Sequence, residues 1–202
     1  GLKYGREGLS IAEQSGDQWL SGMLKISIGI NRFFLEELDK AAEIFRSARN
    51  DFRECKDPFC QLASELWLSL AYRQAGQAKN YDRMLEETFM NAESTDCHCL
   101  FSTPTLLGVR DLNMIAPLLL DASRKFSDSK LLQGIVAEQG LANLDYHPGY
   151  SLKITSLGNL RVWRGKEEIG SKEWQREKAL ELFLLLVVNR GRFLPKETIQ
   201  FS

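Results

Sequence analysis

Offset against itself by 40 residues, the first half of this chain repeatedly matches residues of like size, and that self-similarity limits its fold more than any other feature. Tyr4, Ile44 and Met84 align, as do Gly8, Ala48 and Thr88, and Ala12, Phe52 and Ala92. Between them Ile26, Leu66 and Leu106 align, and Ile28 with Leu68. A period in this range marks stacked helical pairs, each burying its apolar stripe against a neighbour. Ser15-Gly16-Asp17, Lys56-Asp57-Pro58 and Ser94-Thr95-Asp96 separate the helices, each supplying an Asp or Thr as N-cap.

In the best unit, Gly29, Ala41, Phe45 and Ala48 follow a small-small-aromatic-small order. Small residues let paired helices approach and the aromatic fills the gap between them. Leu68, Tyr72, Gly76 and Leu85 hold the corresponding places in the next unit. The pattern resembles tetratricopeptide repeats, with a unit about six residues longer than the usual 34 and no closing proline. In that length it is similar to the repeats in the sensor region of large maltose-regulator-type bacterial activators. Leu2 to Gln14 corresponds to Ala42 to Glu54, the second half of a unit, so the array is expected to start without its cap.

Stacked helical pairs present their first helices on an inner surface. The resemblance implies that this surface receives a protein or small-molecule inducer, and Asn31, Arg32, Tyr72 and Arg73 are the candidate contacts, with Tyr81 nearby. Core packing explains the tyrosines equally well.

From Asn113 the pattern stays helical but leaves the 40-residue register. Met114, Leu118, Ala122 and Phe126 form one stripe, with Pro117 early in the helix; Leu131, Leu132, Ile135, Val136 and Gln139 form another. Ser127-Asp128-Ser129 supplies a cap between them. His147-Pro148-Gly149 breaks the chain. The expected organisation is helical repeats over 1–112, connecting helices over 113–148, and a distinct segment over 149–202.

That last segment predicts strands around Leu152–Leu157 and Leu160–Trp163, a tight turn at Arg164-Gly165-Lys166 into Glu167-Glu168-Ile169, and an apolar helix from Trp174 to Asn189. Arg190-Gly191 ends the helix and Pro195 starts another. The order Leu-Gly-x-Leu-x-Val, Gly turn, Trp, basic cluster, Leu-rich helix, Arg-x-Leu-Pro-Lys-Glu resembles the opening of a response-regulator-type winged helix of the SARP-type bacterial activators. That resemblance implies a DNA-binding output domain whose base-reading helix lies beyond Ser202, so that DNA is bound specifically only by the full-length protein. Arg190, Arg192 and Lys196 are the candidate phosphate contacts. Phe183, Val187 and Phe193 are expected to need cover, against the helical domain or in a homo-oligomer formed through the open sheet edge at Leu152 to Leu157.

Fold class is therefore mainly α: a tetratricopeptide-like helical-hairpin array followed by a small incomplete α/β segment. The charges divide accordingly. Residues 150–202 carry ten Lys/Arg against six Glu, net +4, leaving 16 basic and 21 acidic groups, net −5, in the rest. An acidic body favours a cationic or neutral ligand. The longest apolar run, Leu182 to Val188, is too short to cross a bilayer, and the first residues lack the core of a secretion signal. Four cysteines fit a reducing cytoplasm. Cys55, Cys60 and Cys97-His98-Cys99 are spaced poorly for zinc, and buried or incidental thiols are the default. Glu36-Glu37 and Glu86-Glu87 suit solvated faces. With two histidines and no phosphate loop or nucleophile elbow, neither enzyme activity nor a cofactor or metal is expected. Two functions fit: a fragment of a cytoplasmic transcription regulator with a sensor array, or a tetratricopeptide-type scaffold for protein partners without a DNA-related role.

Overall fold

The computed structural model describes residues 2–95, 97–142, 152–155, 160–164, 167–170, 172–174, 176–189, 194–196 and 199. Among them the chain is mainly helical, with nine α-helices and one three-stranded antiparallel sheet. It divides into two compact units, Gly1–Gly149 and Tyr150–Ser202.

The first unit opens with α1 (Leu2–Ser15), α2 (Gln18–Phe34), α3 (Leu38–Glu54), α4 (Pro58–Gln74) and α5 (Ala78–Ser94), each packed on the next. The bounds of α2 and α4 differ by 40 residues, as do those of α3 and α5. One turn recurs at half that interval. Gly16, Glu36, Lys56 and Gly76 each take a left-handed conformation, with φ of 73°, 60°, 56° and 68°. In every case the next residue, Asp17, Glu37, Asp57 or Gln77, donates its N–H to the carbonyl five residues back (Ala12, Arg32, Phe52, Tyr72), each at 3.0 Å. This is the Schellman closure, which satisfies carbonyls that the helix end leaves unpaired. The donor then serves as N-cap of the following helix. Asp17 and Asp57 complete that role with side chains accepting the N–H of Leu20 and of Cys60, both at 2.9 Å.

Two close approaches fix the spacing of α2 and α3. A Cβ at Gly29 would lie 2.5 Å from Phe45 Cε1, and one at Gly22 would lie 2.7 Å from Phe52 Cζ. Both rings are fully buried, as are Ala41 and Ala48.

The register fails after α5. Thr95, expected as an N-cap, is instead the extended residue that ends α5, its hydroxyl donating to Asn91 O at 2.7 Å; Asp96 lies outside the described residues. The next helix, α6 (Cys99–Ser102), lasts one turn. Leu106, aligned by the repeat with buried Ile26 and Leu66, sits in a loop at 86% exposure. A 3-10 turn (Leu112–Met114) then leads into α7 (Ala116–Lys125) and α8 (Lys130–Glu138), the latter capped by Ser129. Leu118, Leu119, Ala122, Leu132 and Ile135 belong to the same buried cluster as Phe45, Leu66 and Phe89. Part of the stretch expected to link the two parts therefore contributes to the core of the helical unit. His147 to Gly149 lie outside the described residues.

In the second unit β1 (Leu152–Thr155), β2 (Arg161–Arg164) and β3 (Glu167–Glu168) lie in that order, Ile154 opposite Val162 and Trp163 opposite Glu168. Val162 is buried, and its carbonyl accepts Ile169 N–H at 2.8 Å. Helix α9 runs over Glu177–Val188, later than the expected start at Trp174. Trp174 lies in a turn before it and packs on Phe183, ring centroids 5.1 Å apart. Leu182, Leu186 and Val188 are exposed. Leu157, the turn at Gly165-Lys166, the helix end at Arg190-Gly191, Phe193 and most of the helix start after Pro195 lie outside the described residues.

Candidate functional site

Helix α4 is buried on nearly every side, and Trp67 sits at its middle with 2% exposure. Its ring stacks on Phe45 at 5.9 Å and meets Phe33 and Phe34 edge-on at 5.5 and 6.2 Å. Its indole N–H donates to Leu107 O at 2.7 Å. That bond pins the loop after α6 against α4, where a further first helix is expected. Within the loop Thr105 Oγ1 accepts Gly108 N–H at 2.9 Å, and Leu107 and Val109 turn inward.

The pinned loop and α2 enclose a cavity of about 580 Å³, lined by Ile30, Phe34, Trp67, Leu106 and Met114 together with Ser27, Asn31, Arg110 and Asp111. A second cavity of about 490 Å³ shares Phe34 and Met114 and is bounded by Leu70, Arg73, Gln74 and Glu36. An apolar lining with a few polar groups, at a size between roughly 300 and 1,000 Å³, suits a small organic ligand. Phe34 and Leu106 leave apolar surface open, at 62% and 86% exposure.

Of the residues proposed from sequence, Asn31 lines the larger cavity and Arg73 the smaller. Asn31 donates from Nδ2 to Ser27 O at 2.8 Å. Arg73 Nε lies 3.6 Å from Asp121 Oδ2, which also accepts the Tyr81 hydroxyl at 2.7 Å. Burial first, and then that bond to Asp121, push Tyr81's pKa well above the usual tyrosine range. Arg32 pairs with Glu37, and the hydrogen bond from its guanidinium, joined by one from Lys40, holds the Glu37 carboxyl below its ordinary pKa. Tyr72 is not a surface contact: it is 2% exposed, with its hydroxyl accepting from Arg46 Nη2 at 2.8 Å. Arg190 and Arg192 lie outside the described residues, and Lys196 is exposed.

Sequence reading missed Trp67, the loop, and a buried carboxylate. Glu65 is 0% exposed, and accepts from Arg49 Nε at 2.8 Å, Gln61 at 2.9 Å and Asn91 at 2.9 Å. Arg49 also reaches Glu87 at 2.6 Å. A lone carboxylate inside the apolar run Leu62 to Leu70 was the available signal, because such a group must be paired. Both members of one acidic pair read as solvated likewise hold partners: Glu87 takes Arg49, and Glu86 takes Lys125 at 3.1 Å. The four cysteines are free thiols. Burial, reinforced by Asp57, pushes Cys60 up to about 12, so it stays protonated. Among the described residues no three His, Cys, Asp or Glu side chains are grouped to hold a metal ion, and no helix is long and apolar enough to cross a membrane.

Compared with protein families, with characterised proteins and with solved structures, the chain finds no match.

Proposed function

We propose that this chain is part of a cytoplasmic bacterial transcription regulator, in which α1–α5 form a tetratricopeptide-like array that receives a signal and the β1–α9 segment opens a winged-helix output domain. The observation that carries the sensor role is the groove of about 580 Å³, where Phe34 and Leu106 stay exposed beside a floor set by Trp67. Leaving two large apolar side chains partly in water forgoes a share of the roughly 1.5–3 kcal/mol that full burial of each would bring, and occupancy of the groove recovers part of it. The function is one of binding rather than catalysis. The output role rests on the sequence resemblance, supported by a short antiparallel sheet followed by a Leu-rich helix and by the net +4 of that segment.

DNA titrations over a salt series test the assignment. The 202-residue chain is expected to bind duplex weakly and without sequence preference, while a protein extended past Ser202 discriminates among sequences. Tight, discriminating binding by the 202-residue chain at physiological salt overturns the reading. So does the absence of discrimination in the extended protein.

A further inference from the structure

We infer that the groove between α2 and the loop after α6 takes a small amphipathic anion, an aromatic or acyl body carrying one carboxylate, with Arg110 receiving the charge. The inference rests on the reading of that groove as the ligand site, and it reverses the preference for a cationic or neutral ligand expected from the net charge of residues 1–149.

Net charge is a property of the whole surface, whereas a bound ligand meets the groups that line its own cavity. The larger cavity holds one cation, Arg110, and one carboxylate, Asp111. Asp111 is occupied: its Oδ1 accepts the Asn113 N–H at 3.0 Å and Asn113 Nδ2 at 2.8 Å, closing the 3-10 turn. Arg110 is exposed and pairs with no carboxylate among the described residues. In the adjoining cavity Arg73 pairs with Asp121 and Glu36 also lines the wall, so that end presents no unpaired cation among its lining residues. Asp111 keeps its negative charge but is tied into the turn, whereas the donors of Arg110, the one cation lining the larger cavity, are held by no carboxylate among the described residues and remain for a ligand's acceptor. A guanidinium beside an apolar wall offers two parallel donors to a carboxylate, while Ile30, Phe34, Leu106 and Met114 cover the body. A cavity of about 580 Å³ matches a molecule of small organic size rather than a folded partner.

Two fluorescent probes of one aromatic frame test this, the uncharged N-phenyl-1-naphthylamine and its anionic relative 8-anilinonaphthalene-1-sulfonate, titrated against the full chain. Phe34→Glu is expected to remove a saturable component for both dyes, with its thermal melt lowered only slightly because Phe34 is 62% exposed although its ring edge meets Phe33 and Trp67. Arg110→Gln is expected to weaken the anionic dye about tenfold and to leave the neutral dye within about twofold, and Arg110→Lys to restore most of the difference. Equal effects of Arg110→Gln on the two dyes, or none on either, overturn the assignment of an anion while leaving the groove as a binding site. If neither dye has a component that depends on Phe34, the groove reading itself falls, and this inference with it.

Discussion

The indole N–H of Trp67 donates to the carbonyl of Leu107 at 2.7 Å, and Leu107 is the residue one 40-residue period further along the chain. Where the repeat would place a second copy of Trp67's environment, the chain instead lays a loop across Trp67 itself. The groove exists because of that substitution, since a regular helix there would carry no carbonyl free to accept the indole and would not leave Leu106 outside.

Trp67→Phe keeps most of the aromatic packing and deletes the donor, stranding the Leu107 carbonyl. The cost is expected to be about 1–3 kcal/mol, read as a lower urea midpoint at unchanged slope. Amide exchange should rise most sharply over residues 105–110 while the exchange of α3 changes little. An even rise through the whole helical unit would show that the bond does not act on the loop.

Gly29→Ala sets two effects against each other. Alanine gains about 1 kcal/mol of helix propensity at a mid-helix position, but its Cβ would stand 2.5 Å from Phe45 Cε1, whose ring is fixed between α2 and Trp67. Overpacking of this kind costs about 1–3 kcal/mol or more, so the variant is expected to be less stable than the parent by chemical denaturation. A double variant with Phe45→Leu should recover part of the loss. A stabilised single variant would mean that α2 and α3 separate freely.

The helix pairs were legible because their determinants are local. Gly29 with Phe45, and Asp57 before Pro58, act through spacing and capping that one sequence displays. Glu36 and Lys56 gave no such signal: both occupy the left-handed turn that Gly16 and Gly76 adopt without strain, and only the 20-residue spacing of the turns exposes them. The groove was half visible. Asn31, and Arg73 in the adjoining cavity, follow from first-helix geometry, whereas Arg110 and Leu106 arrive on a loop held by the Trp67 bond and by the burial of Leu107 and Val109. Tyr72 was misplaced because Arg46, on another helix, satisfies its hydroxyl and allows full burial. Glu65 escaped for the same reason, its partners coming from α3 and α5 as well as its own helix.

Those two turns give a paired prediction. Lys56→Gly relieves a left-handed lysine and is expected to stabilise the chain by about 1 kcal/mol, less the entropy that glycine adds to the unfolded chain. Gly76→Ala imposes the same conformation on a residue with a Cβ and is expected to destabilise by about 1 kcal/mol. Thermal melts of the two variants should move in opposite directions. A shift of the same sign in both would rule out backbone strain as the cause.

Asp57 joins three helices at one residue, and the charge of its carboxylate supplies the clearest pH dependence. One oxygen caps α4 through Cys60 N–H at 2.9 Å, and the other accepts the Trp19 indole of α2 at 2.9 Å, while its own N–H closes α3. Partial burial alone would raise its pKa, but the backbone hydrogen bond from Cys60 and the indole of Trp19 together hold it below the ordinary carboxylate value. A depressed folded-state pKa contributes stability that is present above the unfolded value, about 3.9, and is lost as pH falls through the folded one. Asp57→Asn keeps a competent cap and an acceptor for the indole, yet carries no proton-linked charge. The parent is therefore expected to lose more stability than Asp57→Asn when urea midpoints are compared between pH 6 and pH 3, with the difference opening below about pH 5 and growing as the pH falls. Parallel losses in the two proteins across that interval would show that the carboxylate's charge adds nothing to the clasp.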